Sequence, residues 1–321
     1  MSSLYVVNPG LLTTLQDRGR TGYEDCGVPP SGALDEMSFA LANALVGNPA
    51  GTGALEFTLL GGTFEVGAGG CVIAVTGDVE VFIDDQAVAG YQCHVLRSGG
   101  VLKIGRVLSG ARGYLAVAGG FAALPVLGGV STLTRAALGG FAGRPLAVGD
   151  ELPLAAPSQY LPLAARAPAQ RFLPQRELRP LRVVLGPQQD YFSEVEIRRF
   201  LSETFEVSPQ SDRMGYRMTG PAIRHLKGFN IVSDAINTGS VQIPGSGHPI
   251  IAMHDRQTTG GYPKIATVIR ADLARLGQLK PGDRVGFEEV TVEQAEDLWC
   301  ERQLLMGAYL DELLARYRRR A

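Results

Sequence analysis

Short apolar runs separated by glycine- or aspartate-rich turns dominate the chain and predict a mainly β protein. Four of these runs follow one another closely, at residues 64–66, 71–75, 79–83 and 101–104. Short strands at close spacing are typical of an antiparallel barrel or sandwich. Asp84 and Asp85 follow the third run and predict a two-residue hairpin turn. The 41 glycines in 321 residues agree with many tight turns.

Helices are few in the predicted pattern, and each begins at a capping residue. Asp35 is a suitable N-cap for a helix over residues 36–46, which Gly47 then ends. Asp190 is expected to cap a second helix that reaches residue 201. Thr291 and Gln294 have the spacing of a capping box, which predicts a long C-terminal helix over residues 291–321.

A proline-rich segment divides the chain into two predicted subdomains. Residues 153–180 contain six prolines and many alanines with little periodicity, which is typical of a linker. We expect an N-terminal β-barrel subdomain over residues 1–152 and a C-terminal one over residues 181–290. Similar short motifs begin at Asp17 and Asp212, and they reflect either an internal duplication or chance.

Charge and cysteine usage exclude several classes of protein. The net charge of −2 gives no basic field for binding nucleic acid. The four cysteines lie far apart without C-x-x-C spacing, which excludes a zinc ribbon and a thioredoxin-like redox motif. Histidines with the spacing of metal ligands are also missing, so no metal is expected. The N-terminus does not resemble a signal peptide, and we expect a soluble, cytoplasmic protein.

The strongest candidate site is the polar loop over residues 254–264, which lies between two apolar runs. A hairpin needs two to five turn residues, whereas this loop has eleven. Asp255 and Arg256 are expected to pair, and Lys264 adds a point charge. Hydroxyls, backbone N–H groups and an aromatic wall come from the residues between them: Thr258, Thr259, Gly260, Gly261 and Tyr262. The alternative is an elaborate structural loop.

Three further segments carry polar side chains among glycines or along a strand. They hold the candidates Asp17, Arg18, Tyr23 and Ser31, then Asp212, Arg213 and Tyr216, and finally Gln242. An arginine fork holds a carboxylate through two parallel hydrogen bonds, and an amide orients a polar ligand. The alternatives are an Asp17–Arg18 pair stapling its loop, a turn organised by Asp212, and a solvent-facing Gln242.

These residues define the candidate site, with all four segments expected to line a shared cleft. The catalytic candidates are Asp17, Arg18, Asp255, Arg256 and Lys264. The substrate-binding candidates are Tyr23, Ser31, Asp212, Arg213, Tyr216, Gln242, Thr258, Thr259, Gly260, Gly261 and Tyr262. Because no G-x-S-x-G elbow or dinucleotide-binding G-x-G-x-x-G is present, chemistry rests on acids, bases and hydroxyls. Such groups suit carboxyl or phosphoryl handling by position and charge.

Five stretches of the sequence together resemble the allophanate hydrolase subunit 2 family, also called the biotin-dependent carboxyltransferase family. The segments are residues 15–23, 27–35, 41–48, 211–216 and 255–266, in the family's order, and the likeness runs from residue 13 to 287. The resemblance implies two cyclophilin-like β-barrel subdomains and a role as one component of a larger enzyme. Two positions depart from the family's pattern: His248, often a glutamine, and Gly129, commonly a serine.

The family includes the C component of bacterial ATP-dependent 5-oxoprolinase, and the resemblance implies that role, with ATP used by the assembled complex. It implies two protein partners: an allophanate hydrolase subunit 1-like protein and a lactam-utilisation protein that resembles the A component of 5-oxoprolinase. No biotin-acceptor sequence Ala-Met-Lys-Met occurs, so biotin is not expected on this chain. The alternatives are a urea carboxylase-like carboxyltransferase component, or a regulatory partner that antagonises an inhibitor of a histidine kinase.

Overall fold

The computed structural model describes residues 2–155 and 179–318, and these form two units that each contain a β-sheet. Unit 1 comprises residues 2–20, 31–155 and 305–318, and unit 2 comprises residues 21–30 and 179–304. The short segment Thr21–Pro30 therefore belongs to unit 2 although it lies early in the chain. Most of the predicted linker lies outside the described residues, so the division at residues 152 and 181 stays a prediction.

Unit 1 is built on a nine-stranded sheet whose two longest strands run side by side. The 17-residue strand β8 pairs with β4 through its first part, with β3 through its last part and with β5 along much of its length. One strand shared by three neighbours curls the sheet around its core. The strands are β1 (Ser3–Asn8), β2 (Thr13–Gln16), β3 (Ala54–Thr58), β4 (Thr63–Val66), β5 (Cys71–Ile83), β6 (Gln86–Val88), β7 (Cys93–Leu96), β8 (Val101–Val117) and β9 (Glu151–Pro153).

The predicted hairpin at Asp84 and Asp85 is confirmed. The two runs before it, at residues 71–75 and 79–83, form one continuous strand and not two. Asp84 and Asp85 have φ values of 49° and 61° and join β5 to β6 through an Ile83–Gln86 pair. Residues 71–83 form the single strand β5, because Gly77, at φ 109°, lies at a bulge and not at a turn.

Helix α1 (Glu36–Leu45) is buried in unit 1 along most of its length, and its predicted cap is confirmed. The Asp35 carboxylate accepts hydrogen bonds from the backbone N–H groups of Met37 and Ser38, both at 3.1 Å. Phe39 of the helix meets Tyr114 of β8 edge to face, with ring centroids 5.9 Å apart. The cap fixes where the helix starts, and the ring contact joins the helix to β8.

Unit 2 contains an eight-stranded sheet and a separate two-stranded ribbon formed by β13 and β16. The sheet has the order β18-β11-β12-β15-β14-β17-β10-β19, and among these pairs only β10 and β19 run parallel. The strands are β10 (Leu181–Leu185), β11 (Phe205–Val207), β12 (Gly215–Thr219), β13 (Asp234–Ala235), β14 (Ser240–Gln242), β15 (Ile250–Ala252), β16 (Thr259–Gly260), β17 (Lys264–Val268), β18 (Arg284–Val285) and β19 (Phe287–Glu289).

The second predicted helix exists, but Asp190 does not cap it. Asp190 lies in a 3₁₀ turn and forms an ion pair with Lys227. Helix α2 (Glu194–Ser202) begins after Ser193, whose hydroxyl accepts from the backbone N–H of Glu196 at 3.4 Å. The prediction was wrong because the chain makes an extra turn before the helix, and a serine takes the cap instead.

Two more helices occur later in the chain. The short helix α3 (Leu273–Gly277) lies between β17 and β18, and α4 (Val292–Arg318), after β19, is the predicted long C-terminal helix. Its capping box is confirmed: Thr291 N–H donates to Gln294 Oε1 at 2.9 Å, and Gln294 N–H donates to Thr291 Oγ1 at 3.2 Å. In the described part of the chain, no helix combines the length and apolar character that membrane crossing requires.

The predicted fold class is confirmed. The protein is mainly β, with two curled, barrel-like sheets, a few short helices and a long C-terminal helix.

In unit 2 the core centres on aromatic side chains from three elements. Phe200 of α2 stacks on Phe287 of β19 at 4.3 Å, and Phe205 of β11 lies beside both.

Candidate functional site

The polar loop of residues 254–264 lies where the sequence predicts it, between strands β15 and β17 of unit 2. It contains its own strand, β16, whose Thr259 and Gly260 pair with Ala235 and Asp234 of β13. Lys264 is the first residue of β17 and faces Gln242 of β14 in the sheet register. The loop therefore reaches across to a second exposed segment of the same unit.

Asp255 pairs with Arg213, and the predicted Asp255–Arg256 pair is wrong. Arg213 Nε donates to Asp255 Oδ2 at 2.9 Å, and Arg213 Nη2 donates to Asp255 Oδ1 at 3.1 Å. Both side chains are buried. This two-pronged pair joins the loop of residues 254–264 to the loop that contains Arg213, which also explains why the two loops meet.

Arg256 is buried, and its guanidinium binds residues of two separate segments of unit 2. Its Nε donates to the carbonyl oxygen of Ile236 at 2.8 Å, and its Nη1 donates to Thr238 Oγ1 at 2.8 Å. Its Nη2 forms an ion pair with Glu24, a residue of the segment Thr21–Pro30. Burial lowers the pKa of Arg256, and the neighbouring Glu24 carboxylate partly opposes this shift.

The Lys264 side chain is also buried. Its Nζ donates to Asp234 Oδ2 at 2.6 Å and to the carbonyl oxygen of Ala235 at 2.9 Å. Gln188 lies beside this pair, since its Oε1 accepts from Lys264 N–H at 3.2 Å and its Nε2 donates to Asp234 at 3.3 Å. The hydrogen bond from Lys264 lowers the pKa of the Asp234 carboxyl.

The two cations hold one short stretch of chain, residues 234–238, which we call the clasped segment. Lys264 binds its first two residues, and Arg256 binds Ile236 and Thr238. The cations therefore bind adjacent carbonyl oxygens, those of Ala235 and Ile236. Each cation also has its own carboxylate partner, Glu24 for Arg256 and Asp234 for Lys264.

Gln242 and Gly260 form the wall beside Lys264. Gln242 is buried, so the solvent-facing interpretation is wrong, and its Nε2 lies 3.5 Å from the carbonyl oxygen of Tyr262. A Cβ placed on Gly260 would lie 2.5 Å from Ile236 Cδ1 and 2.8 Å from Gln242 Nε2. A side chain at position 260 would therefore have to displace the ends of the Ile236 and Gln242 side chains.

The other substrate-binding candidates of this loop shape its surface. The carbonyl oxygens of Thr258 and Gly261 accept from the N–H groups of Ile236 at 3.0 Å and Ile231 at 2.8 Å. Thr259 lies in the ribbon, and Tyr262 is exposed at the surface. Their roles as substrate contacts stay predictions.

Asp212 and Tyr216 have structural roles in the loop and strand that carry Arg213. Asp212 Oδ1 accepts from the N–H groups of Met214 at 2.8 Å and Gly215 at 3.2 Å, so this carboxylate organises the turn. Tyr216 is buried and its hydroxyl donates to the carbonyl oxygen of Leu279 at 3.1 Å. Of the two interpretations offered for this segment, the structure therefore agrees with a turn organised by Asp212.

In unit 1, Asp17 binds backbone groups and does not pair with Arg18. Its carboxylate accepts from the N–H groups of Gly19 at 2.8 Å and Val130 at 2.7 Å, and also from the Ser131 hydroxyl. Arg18 extends over Gly51, and among the described residues it makes no hydrogen bond or ion pair. The stapling pair proposed from the sequence is therefore wrong.

The remaining two candidates lie on opposite sides of the division between the units. Ser31 belongs to unit 1, where it is buried at φ 56° and donates to the carbonyl oxygen of Thr132 at 3.2 Å. Tyr23 belongs to unit 2, where its carbonyl oxygen accepts from the N–H groups of Cys26 and Val28, both at 3.1 Å. A cleft shared by all four predicted segments stays a prediction.

Four residues of the site were not among the candidates: Glu24, Gln188, Asp234 and Thr238. No local pattern marks them, because each reaches Arg256 or Lys264 from a distant part of the sequence; Glu24 and Arg256 are 232 positions apart. Within residues 2–155 and 179–318, no group of three or more histidine, cysteine, aspartate or glutamate side chains is placed to hold a metal ion.

Comparison with known proteins supplies the wider context for this geometry. Residues 26–289 match the family described as "Carboxyltransferase domain, subdomain A and B". The chain is 36% identical over 293 residues to the C component of the 5-oxoprolinase of Escherichia coli, covering 91% of this chain and 93% of that protein. It is 36% identical over 302 residues to the corresponding 5-oxoprolinase component of Haemophilus influenzae, covering 94% of each.

A solved structure extends the comparison to a much longer protein. The crystal structure of the K. lactis urea amidolyase matches with a TM-score of 0.88 and 31% sequence identity. The match covers 97% of this chain and 20% of that chain. This chain therefore spans about a fifth of the urea amidolyase and nearly the whole of the two bacterial relatives.

Proposed function

The chain belongs to the carboxyltransferase domain family, and we propose that it acts as one component of an ATP-dependent 5-oxoprolinase. The complex opens the lactam ring of 5-oxoproline to form glutamate. This chain works with an allophanate hydrolase subunit 1-like protein and a lactam-utilisation protein in the cytoplasm. ATP is used by the assembled complex.

The observation that carries the proposal is that the match to the bacterial relatives covers nearly the whole of both chains. The match to the 5-oxoprolinase component of Escherichia coli spans 93% of that protein and 91% of this chain. A match that spans both chains supports the same role, whereas a match to one part of a long enzyme supports a shared fold.

In this proposal, the buried cations Arg256 and Lys264 supply the positive charge that ring opening requires. Hydrolytic ring opening adds one water across the lactam C–N bond, leaving an amine and a new carboxylate. Negative charge develops on the lactam oxygen as the water attacks. In this proposal, Arg256 and Lys264 hold the substrate carboxylate and stabilise the developing oxyanion.

The remaining candidates divide into supports and substrate contacts in this proposal. Asp255 and Arg213 keep the loop of residues 254–264 in place through their buried pair. Gln242, Thr258, Thr259, Gly261 and Tyr262 are proposed to contact the substrate.

Reconstitution tests the proposal directly. The purified chain is mixed with its two partner proteins, ATP and 5-oxoproline, and glutamate is measured over time. The expected result is glutamate formation that stops when this chain, ATP or either partner is omitted. Folded partners that form no glutamate with this chain, or form it equally well in its absence, would reject the proposal.

A second candidate is carboxyl transfer, which is favoured by the match to urea amidolyase over 97% of this chain. In this mechanism the chain moves a carboxyl group between carboxybiotin, carried on a separate protein, and a small acceptor. The test supplies free carboxybiotin and urea and measures the loss of carboxylate from biotin. Loss that depends on both the chain and the acceptor would favour this candidate over lactam opening.

A further inference from the structure

The three ion pairs of the candidate site differ in how deeply their carboxylates lie. In the Arg213–Asp255 pair, the side chains are 8% and 4% exposed, so both charges are buried. The Arg256 side chain is 4% exposed, whereas its partner Glu24 is 47% exposed. The Lys264 side chain is 4% exposed, whereas its partner Asp234 is 50% exposed. In two of the pairs, therefore, the cation is deep and the anion lies at the surface.

This asymmetry makes the two surface carboxylates easy to exchange. A half-exposed carboxylate keeps much of its hydration, and ion pairs with an exposed partner contribute little to stability. Each cation, by contrast, loses its hydration on burial and needs a negative partner wherever the protein places it. The remaining partners of Arg256 and Lys264, apart from these carboxylates, are neutral oxygens in the described structure.

The elements that carry the two carboxylates are also lightly held. Glu24 lies in the 3₁₀ turn Glu24–Cys26, none of whose residues is buried. Asp234 lies in the two-residue strand β13, both of whose residues are exposed. Either side chain can swing into solvent without opening the core of unit 2.

We propose that Glu24 and Asp234 are internal stand-ins for ligand carboxylates, which they yield to a small molecule bearing two anionic groups. In the empty protein they neutralise Arg256 and Lys264. A ligand with a carboxylate at each end displaces both, and its two charges occupy the same positions. The inference rests on the proposed function in one respect, which is that Arg256 and Lys264 bind the substrate.

The two stand-ins set the class of ligand. Because each cation has its own carboxylate from a separate segment, full displacement needs two anionic groups on one molecule. Both cations bind the clasped segment, so we use glutarate, a small flexible dicarboxylate, as the probe.

The test measures binding of glutarate to the full-length chain by calorimetry, with neutral glutaramide as the control ligand. Glu24→Gln and Asp234→Asn each remove one competing charge and are expected to tighten glutarate binding about two- to fivefold, the range for an exposed ion pair. Asp25→Asn is the matched control, because it removes a charge next to Glu24 without contacting Arg256 and is expected to leave the affinity unchanged. Glutaramide is expected not to bind.

A second measurement uses the wild-type chain and so does not depend on how the variants fold. Saturating glutarate releases Glu24 from Arg256 and is expected to increase amide hydrogen exchange in the turn Glu24–Cys26. Unchanged exchange in that turn with bound glutarate would contradict displacement.

Several outcomes would overturn the proposal. These are unchanged or weaker binding in both variants, equal tightening by Asp25→Asn, or no binding by any protein. Tighter glutarate binding by only one of the two variants would reject the inference that the ligand carries two carboxylates. Failure here is distinct from failure of the proposed function, since this assay contains no ATP and no partner. If the variants bind glutarate more tightly but the complex forms no glutamate, the binding site at Arg256 and Lys264 would be supported and the 5-oxoprolinase role would be rejected.

Discussion

Replacing Asp255 by alanine removes the carboxylate that neutralises Arg213 deep inside unit 2. The two side chains are 4% and 8% exposed and meet through two hydrogen bonds of 3.1 Å or less. Removing one member of a buried pair leaves a charge that has lost its hydration, which costs about 3–5 kcal/mol. We therefore expect Asp255→Ala to destabilise unit 2 by about 4 kcal/mol.

The chain carries its own probe for this experiment. Trp299 is its single tryptophan, and it lies in the part of α4 that belongs to unit 2, with Arg270 Cζ 4.3 Å from the ring centroid. Urea unfolding followed by tryptophan fluorescence therefore reports on unit 2. With a slope of about 2 kcal/mol per molar urea, the midpoint is expected to fall by about 2 M.

The double variant Arg213→Met with Asp255→Leu separates a lost ion pair from a lost contact. Because it removes both charges and keeps apolar volume, it is expected to recover most of the stability lost in Asp255→Ala. A wild-type midpoint for Asp255→Ala, or a double variant as unstable as the single one, would show that the uncompensated charge is not what destabilises unit 2.

The remaining predictions concern a helix cap, a loop and a thiol. Asp35→Ala is expected to lower the free energy of unfolding by about 1–2 kcal/mol, because two N–H groups lose their acceptor. The measurement is urea unfolding followed by circular dichroism. Asp190 caps no helix, so Asp190→Ala is the control and is expected to cost less than about 0.5 kcal/mol. Asp17→Ala is expected to cost about 1–3 kcal/mol in the same assay, since its carboxylate accepts from Gly19 and Val130; wild-type stability would contradict that role. Burial raises the pKa of the Cys71 thiol to about 12, so at pH 8 iodoacetamide is expected to leave it unmodified while mass spectrometry detects alkylation of other thiols; labelling of folded Cys71 as fast as in urea would contradict this.

Much of the local structure was predictable because the groups involved are close in sequence. The Asp35 cap and the Thr291–Gln294 capping box each join residues two or three positions apart. The prediction failed for the second helix because Ser193 and Asp190 are both good caps, and the choice depends on the turn that precedes the helix. Local patterns reveal which caps are available, and tertiary packing selects among them.

The position of the candidate site could be predicted from the sequence, but the ion pairs within it could not. Its polar loop lies between two strands, as its flanking apolar runs indicate. Sequence proximity favoured a pair between Asp255 and Arg256, whereas the fold gives Asp255 to Arg213 and Arg256 to Glu24. Partners 42 and 232 positions away are set by how the sheet and the segment Thr21–Pro30 come together in unit 2, which no local pattern records.

The proposed role of the two buried cations in a 5-oxoprolinase can be tested by one comparison of rates. Glutamate formation is measured in complexes reconstituted with wild-type chain, Arg256→Ala, Lys264→Ala or the control Arg217→Ala, an exposed arginine on β12 of the same unit. The first two variants are expected to fold, because each leaves behind a carboxylate that is already half-exposed.

Arg256→Ala and Lys264→Ala are each expected to lower the rate of glutamate formation by about a hundredfold or more. Arg217→Ala is expected to keep the wild-type rate. Wild-type rates in both cation variants, with the complex intact, would contradict a role for these cations in the reaction and return the loop of residues 254–264 to a structural role.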